Sequence, residues 1–166
     1  MTPPERLLNA SERLLLILCV TGFVVMFALQ VATVFFRFVI ESSLAFPEEM
    51  IRYLFIWTTF LGAAVALRRG AHAAIGVFVK QLPDRAKRAA LLAAAGVSLL
   101  FFAILLVKGV ELTTRGLAQT APALGVSMAW AYSAIPVGAA FLVLYTLEIF
   151  FTTLRRPAAD LDTDDA

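Results

Sequence analysis

The chain has 166 residues, of which 61% are hydrophobic and only 16% charged, with a formal net charge of +2 and a mean hydropathy of +0.86. A soluble domain carries about 45–50% apolar and about 25% charged residues, so one water-facing globule is excluded and lipid is the solvent that fits. The slight basic excess does not call for nucleic acid, because membrane proteins concentrate Lys and Arg in cytoplasmic loops. Cys19 is the only cysteine, which excludes a disulfide framework and any CxxC redox or metal motif. It follows Leu18 rather than a small residue, so it does not read as a lipoprotein signal.

In chain order, the first apolar run covers residues 14–36, broken only by mild polars such as Thr21 and Gln30. A spanning helix needs roughly 20 such residues. Arg6 and Arg13 precede the run as they would a cleavable leader. However, the run exceeds the about 7–15 residues of a leader's apolar region, and no clear cleavage site follows, so a retained signal-anchor helix is expected. The second run covers residues 50–67 and is free of charge from Tyr53 onward. Residues 73–82 are apolar but too short to span. Basic residues on both sides favour a short interfacial helix on the inner leaflet, ended by Pro83. Two further runs cover residues 89–107 and 128–151, the last with Pro136 placed to kink it. No run alternates apolar and polar residues, which disfavours a barrel. The fold class expected is all-α integral membrane: four transmembrane helices plus the interfacial helix in a cytoplasmic loop. Residues 1–156 then form one membrane domain, and the small, acidic residues 157–166 a disordered tail.

Ten of the 14 Lys and Arg residues fall in the N-terminal segment, the loop between spans two and three, and the C-terminal segment. Arg37, Arg52, Lys108 and Arg115 fall on the other side. That bias places both termini in the cytoplasm. Trp130 and Tyr132 then suit an outer aromatic belt, and Tyr53 and Trp57 can do the same for span two.

An ionisable side chain inside a membrane is expensive and usually functional. The middles of these four spans carry none; Arg37, Glu41, Glu48, Glu49, Arg52, Lys108 and Glu148 all lie near span ends. No metal-spaced cluster, Gly-rich phosphate loop or nucleophile motif is present. No enzyme activity, catalytic residue, cofactor or metal is therefore expected. Thr58, Thr59 and Ser98 offer oxygens that a sodium ion can use, although a hydroxyl in a helix more commonly bonds its own backbone.

Small residues recur at i+4 in three spans: Thr58, Gly62 and Ala66; Ala89 and Ala93; Ala134 and Gly138. Such rows let helices approach closely in lipid. The stretch Phe46-Pro47-Glu48-Glu49-Met50-Ile51-Arg52-Tyr53 has its own local physics. Pro47 fits a first helical turn, and Glu48 and Glu49 meet the positive end of the helix dipole. Arg52 follows at i+4 and i+3, positioned for an ion pair. A solvated polar collar accounts for these residue types as well as an assembly contact does.

In order and spacing the chain resembles the small membrane subunit (DctQ type) of tripartite ATP-independent periplasmic (TRAP) transporters, over roughly residues 34–148. The resemblance rests on Arg37-Phe38, Phe46, Glu48-Glu49, Arg52-Tyr53, Trp57, Phe60-Leu61-Gly62-Ala63, Gly70-Ala71-His72 and Leu82-Pro83. It continues through Pro122-Ala123-Leu124-Gly125, Trp130, Tyr132 and Ile135-Pro136-Val137-Gly138. One departure is the acidic residue that the family often has shortly after the His, where Ala74, Ile75 and Gly76 stand here. Whatever that acid does is not carried over.

The resemblance implies a multi-pass protein of the bacterial inner membrane that acts as a scaffold. Its partners would be a large DctM-type membrane subunit, a periplasmic solute-binding protein met at least transiently, and membrane lipid, with no nucleic acid. The large subunit would carry a solute such as an organic acid with sodium. Arg37, Glu48, Glu49, Arg52, Trp57, Gly62, Gly70, His72, Pro136 and Gly138 are the expected subunit contacts or structural anchors. On its own, His72 reads as a hydrogen-bonded loop residue. A self-sufficient homo-oligomeric transporter or channel is the alternative, and a membrane assembly or sensor protein a further one.

Overall fold

The computed structural model describes residues 3–41, 46–70 and 84–155. Five helices run through them: α1 (Pro3–Val39), α2 (Phe46–Gly70), α3 (Asp84–Gly116), α4 (Ala129–Tyr132) and α5 (Ala134–Arg155). Among the described residues there is no strand, only an isolated antiparallel bridge between Thr120 and Ser127. Four segments are long and apolar enough to cross a bilayer: Arg6–Val39, Phe46–Gly70, Arg88–Gly116 and Ala129–Leu154. The protein is an all-α, multi-pass membrane protein. The expected interfacial helix, His72 and the acidic tail lie outside the described residues.

The helices outrun the apolar runs that define them. At about 1.5 Å per residue, the 37 residues of α1 extend roughly 55 Å, against about 30 Å of hydrocarbon. Nothing between Pro4 and Leu14 breaks a helix, so it continues through residues too polar for lipid. α2 follows the same logic: Glu48 and Glu49 lie in its first turn, and Arg68 and Arg69 in its last, each sign at the favourable end of the dipole. These overhanging turns carry the polar chemistry.

Packing runs in series. α1 lies on α2, α2 on α5 and α5 on α3, with α4 against α3 and α2. α1 and α3 therefore stand at the edges and expose many large apolar side chains, including Phe23, Phe27, Leu100 and Phe101. The core sits where α1, α2 and α5 meet, at Leu15, Leu61, Ala64, Val65, Leu142 and Tyr145. A smaller cluster of Tyr53, Ala121 and Ala131 joins α2 to α4 and the segment before it.

Lipid gives helices no hydrophobic reason to associate, so close backbone approach must supply the attraction. Gly138 shows how: a Cβ there would lie 2.6 Å from Phe60 Cβ and 3.1 Å from its carbonyl carbon. Gly138→Val is expected to force α2 and α5 apart and destabilise the protein by about 1–3 kcal/mol. Thermal unfolding in detergent checks this, and an unchanged midpoint contradicts it. Gly62 is less demanding, since its added Cβ would meet Cys19 Sγ at an ordinary 3.9 Å, and Gly70 has nothing within 4 Å.

The fourth span is interrupted about one turn before the kink expected at Pro136. Ser133 separates α4 from α5, and Pro136 explains why. Proline has no N–H to give the carbonyl of residue i−4, which is Tyr132, and its ring crowds that carbonyl. Ser133 Oγ instead donates to Trp130 O at 2.8 Å, and the next intact backbone bond runs from Val137 N to Ser133 O at 3.2 Å.

Candidate functional site

One stripe of α2, running through Glu49, Tyr53, Trp57, Leu61, Ala64 and Arg68, looks into the protein at helical spacing. Its middle is apolar and buried, and each end is a polar clasp.

At one end the Arg68 side chain is only 12% exposed. Its Nε and Nη2 donate to the two carboxylate oxygens of Glu148 on α5 at 2.9 and 3.0 Å. Nη1 donates to Glu12 Oε2 at 2.6 Å and to Leu8 O at 3.0 Å, both on α1. Nη2 also donates to Asn9 Oδ1 at 2.8 Å. A guanidinium has five N–H groups in a rigid fork, and here five acceptors on two other helices take them. The cation lies 5.4 Å from the centre of the Tyr145 ring, whose hydroxyl hydrogen-bonds Ser11 Oγ at 3.0 Å. Arg69 donates from Nε to Glu12 Oε1 at 2.6 Å. Two guanidiniums thus face two carboxylates and the cluster is neutral, which is how charge tolerates a poorly solvated place. No N–H of Arg68 is left for a solute anion, so the cluster is a brace.

At the other end Glu49 fixes a hairpin. Residues 117–128 fold back on themselves: Ala121 N donates to Val126 O at 2.8 Å and Met128 N to Gln119 O at 2.9 Å. Gly125 turns the chain with φ +67°, a left-handed conformation that suits glycine. The turn at Pro122-Ala123-Leu124 points two amides at α2. Ala123 N and Leu124 N donate to Glu49 Oε2 at 2.8 and 2.9 Å. Tyr53, one turn further along and only 3% exposed, donates its hydroxyl to Glu49 Oε1 at 2.9 Å. Below it Trp57 Nε1 donates to Trp130 O at 3.1 Å, with the two indoles 5.8 Å apart.

The structure thus brings Glu49 and Trp57 together with the segment before α5. Glu48 and Arg52 remain exposed on α2, and among the described residues neither forms a salt bridge. Arg37, exposed in the last turn of α1, stands 5.9 Å from the Phe38 ring centre and does not join Glu49. Pro47 is buried behind them. Thr58 and Thr59 hydroxyls bond their own helix, at Leu54 O and Phe55 O. Among the described residues no three His, Cys, Asp or Glu side chains converge as metal ligands.

Sequence reasoning missed the Arg68 clasp. It read Arg68 as one charge in the loop bias and Glu148 as a span-end residue. The available signal was Glu12 and Glu148, carboxylates set on the basic side of the membrane next to apolar runs.

These features define a class: a small multi-pass membrane protein with, among the described residues, four long helices, no charge at mid-span and a polar brace at each end. The family model for the DctQ component of tripartite ATP-independent periplasmic transporters matches residues 26–156, and the chain belongs to that family, the small permease subunits. The sialic acid TRAP transporter small permease protein SiaQ of Vibrio cholerae is 25% identical over 151 residues, covering 91% of this chain and 86% of that one. A putative TRAP transporter small permease protein of Haemophilus influenzae is 39% identical over 67 residues, 40% of this chain and 42% of the relative. The C4-dicarboxylate TRAP transporter small permease protein DctQ of Rhodobacter capsulatus is 29% identical over 115 residues, 68% of this chain and 51% of the relative. The matched region holds Arg68, Glu148 and Glu49, whereas Asn9 and Glu12 precede it.

Proposed function

We propose that this subunit is a non-catalytic scaffold, held beside a large membrane subunit that moves the solute. The observation that carries this reading is the placement of charge: the charged side chains that reach the core, Glu12, Glu49, Arg68 and Glu148, are locked into a brace at a helix end. A path for a charged solute or a coupling ion needs exposed, exchangeable ligands at mid-depth, and the row of helices offers apolar packing there instead.

In this reading the partners are a large DctM-type subunit and, at least transiently, a periplasmic solute-binding protein. The setting is a bacterial inner membrane, since the relatives are bacterial proteins. Both termini are cytoplasmic, because Arg13, Arg68, Arg69 and Arg88 gather at one end of the helices against Arg37, Arg52, Lys108 and Arg115 at the other. The solute is an organic acid and sodium drives its uptake. The acid class is supported by relatives named for sialic acid and for C4-dicarboxylates, both carboxylates. Co-expression with the large subunit tests the scaffold role. The two are expected to co-purify, and this chain alone in proteoliposomes is expected to pass no solute. Flux from the lone chain would instead establish a self-sufficient transporter.

A further inference from the structure

The edge helix α1 carries a polar side chain that nothing in the fold explains. Gln30 is exposed and lies five residues from the centre of the apolar run 14–36, or about 7–8 Å along the axis. That is well inside a hydrocarbon half-thickness of about 15 Å. Its carboxamide has two N–H donors and a carbonyl acceptor. Thr33, one turn on, satisfies itself by donating to Leu29 O at 2.8 Å, but Gln30 has no hydrogen-bond partner among the described residues. Facing lipid, that amide would be unsatisfied, which is unfavourable by several kcal/mol.

Its neighbours show what is missing. Phe23, Phe27, Gln30, Val34 and Arg37 are spaced alternately by four and three residues, the period of a helix-packing seam. All five are exposed, Phe23 and Phe27 at 67% and 65%. A single polar residue in an otherwise apolar seam fixes register and partner choice. Two copies of this chain would satisfy Gln30 with Gln30, since a carboxamide is self-complementary. Inserted in the same sense, however, they would also set Arg37 against Arg37 two turns further along, and like charges repel. Charge complementarity therefore favours a different chain.

We infer that this stripe of α1 docks a transmembrane helix of the large subunit. That helix presents an amide, hydroxyl or carboxyl group at the depth of Gln30 and an acidic or carbonyl-rich end at the level of Arg37. The inference rests on the scaffold reading and adds which face is used. The test is co-purification of the co-expressed large subunit with tagged variants of this chain. Gln30→Leu, which suits lipid and leaves the fold's own contacts intact, is expected to lower the recovered large subunit about three- to ten-fold. Gln30→Asn should retain most of it, and Phe101→Ala on the opposite edge should retain all. A photo-crosslinking residue at position 30 should give an adduct with the large subunit, while the same residue at position 100 on α3 should not. Full recovery with Gln30→Leu, or an adduct of two copies of this chain, overturns the docking face while leaving the scaffold reading standing. Failure of the wild-type chain to co-purify removes both.

Discussion

Replacing Arg68 with alanine is expected to lower the unfolding midpoint of the detergent-solubilised protein by about 6–20 °C. The guanidinium, carried on α2, holds two other helices. It ties α1 to α5 through two carboxylates, an amide oxygen and a main-chain carbonyl. These are helices whose other mutual contacts are few. Removing it strands Glu148, which is largely shielded from water, and leaves Glu12 with Arg69 alone; breaking such a pair destabilises by about 3–5 kcal/mol. For a chain of this size, each kcal/mol corresponds to about 2–4 °C. Arg68→Lys should fall between wild type and alanine, since a point charge with three donors cannot serve five acceptors in a fork. A more discriminating test neutralises everything together. Arg68→Met with Glu12→Gln and Glu148→Gln leaves no unpaired carboxylate, and the one cation that loses its partner, Arg69, is half exposed, so it should recover much of the loss. If Arg68→Ala unfolds like the wild type, the clasp is a surface ion pair of little consequence. If the triple variant is no better than Arg68→Ala, hydrogen-bond geometry matters more than charge balance.

How much of this was legible beforehand divides by range. The four spans were readable because a long uncharged run has few alternatives to a membrane helix, whatever its neighbours. The start of α2 was readable because Pro47, Glu48 and Glu49 act within one turn. The partners were not readable. Glu49 and Arg52 stand at ideal i,i+3 spacing, yet Glu49 is taken by Ala123 N and Leu124 N from 74 and 75 residues away. An exposed helical ion pair is worth about 0.2–0.5 kcal/mol, whereas two amides already aimed by a hairpin give charge-assisted bonds of roughly twice ordinary strength. Backbone donors leave no mark in residue type. Only the turn-forming Pro122-Ala123-Leu124-Gly125 hints that amides converge there. Arg68 was hidden differently: Lys and Arg beside a span have a sufficient explanation in topology, and that explanation concealed a second role. The helices run past the four spans for a plainer reason: a span marks where lipid fits, and the flanking residues are polar without being helix breakers.

Glu49 carries the second large expectation, and its chemistry separates two meanings of the same residue. If Glu49 is only part of a solvated collar, its replacement by lysine changes surface charge and little else. If it holds the hairpin, Glu49→Lys replaces one acceptor of three hydrogen bonds with a donor. Ala123 N, Leu124 N and the Tyr53 hydroxyl then lose their partner, and each orphaned donor contributes a penalty of about 1–3 kcal/mol where water cannot replace it. Ala123 is exposed and regains water readily, so the loss should be dominated by Tyr53 and Leu124, at about 2–4 kcal/mol in all. The hairpin should then come away from α2, carrying with it the Trp57 and Trp130 contact and the packing of Ala121 on Tyr53. Glu49→Gln gives the comparison: its carbonyl oxygen can accept both amides and its NH2 can donate to the Tyr53 oxygen, so it should lose only about 1 kcal/mol. Amide hydrogen exchange at Ala123 and Leu124 reads the latch directly, and co-purified large subunit reads its consequence for assembly. Faster exchange at both amides in Glu49→Lys, near-normal exchange in Glu49→Gln, and a matching order in assembly would make Glu49 a latch on a docking surface. Exchange lost without any loss of assembly would confine the latch to the stability of this subunit, and unchanged exchange in Glu49→Lys would return the residue to the collar.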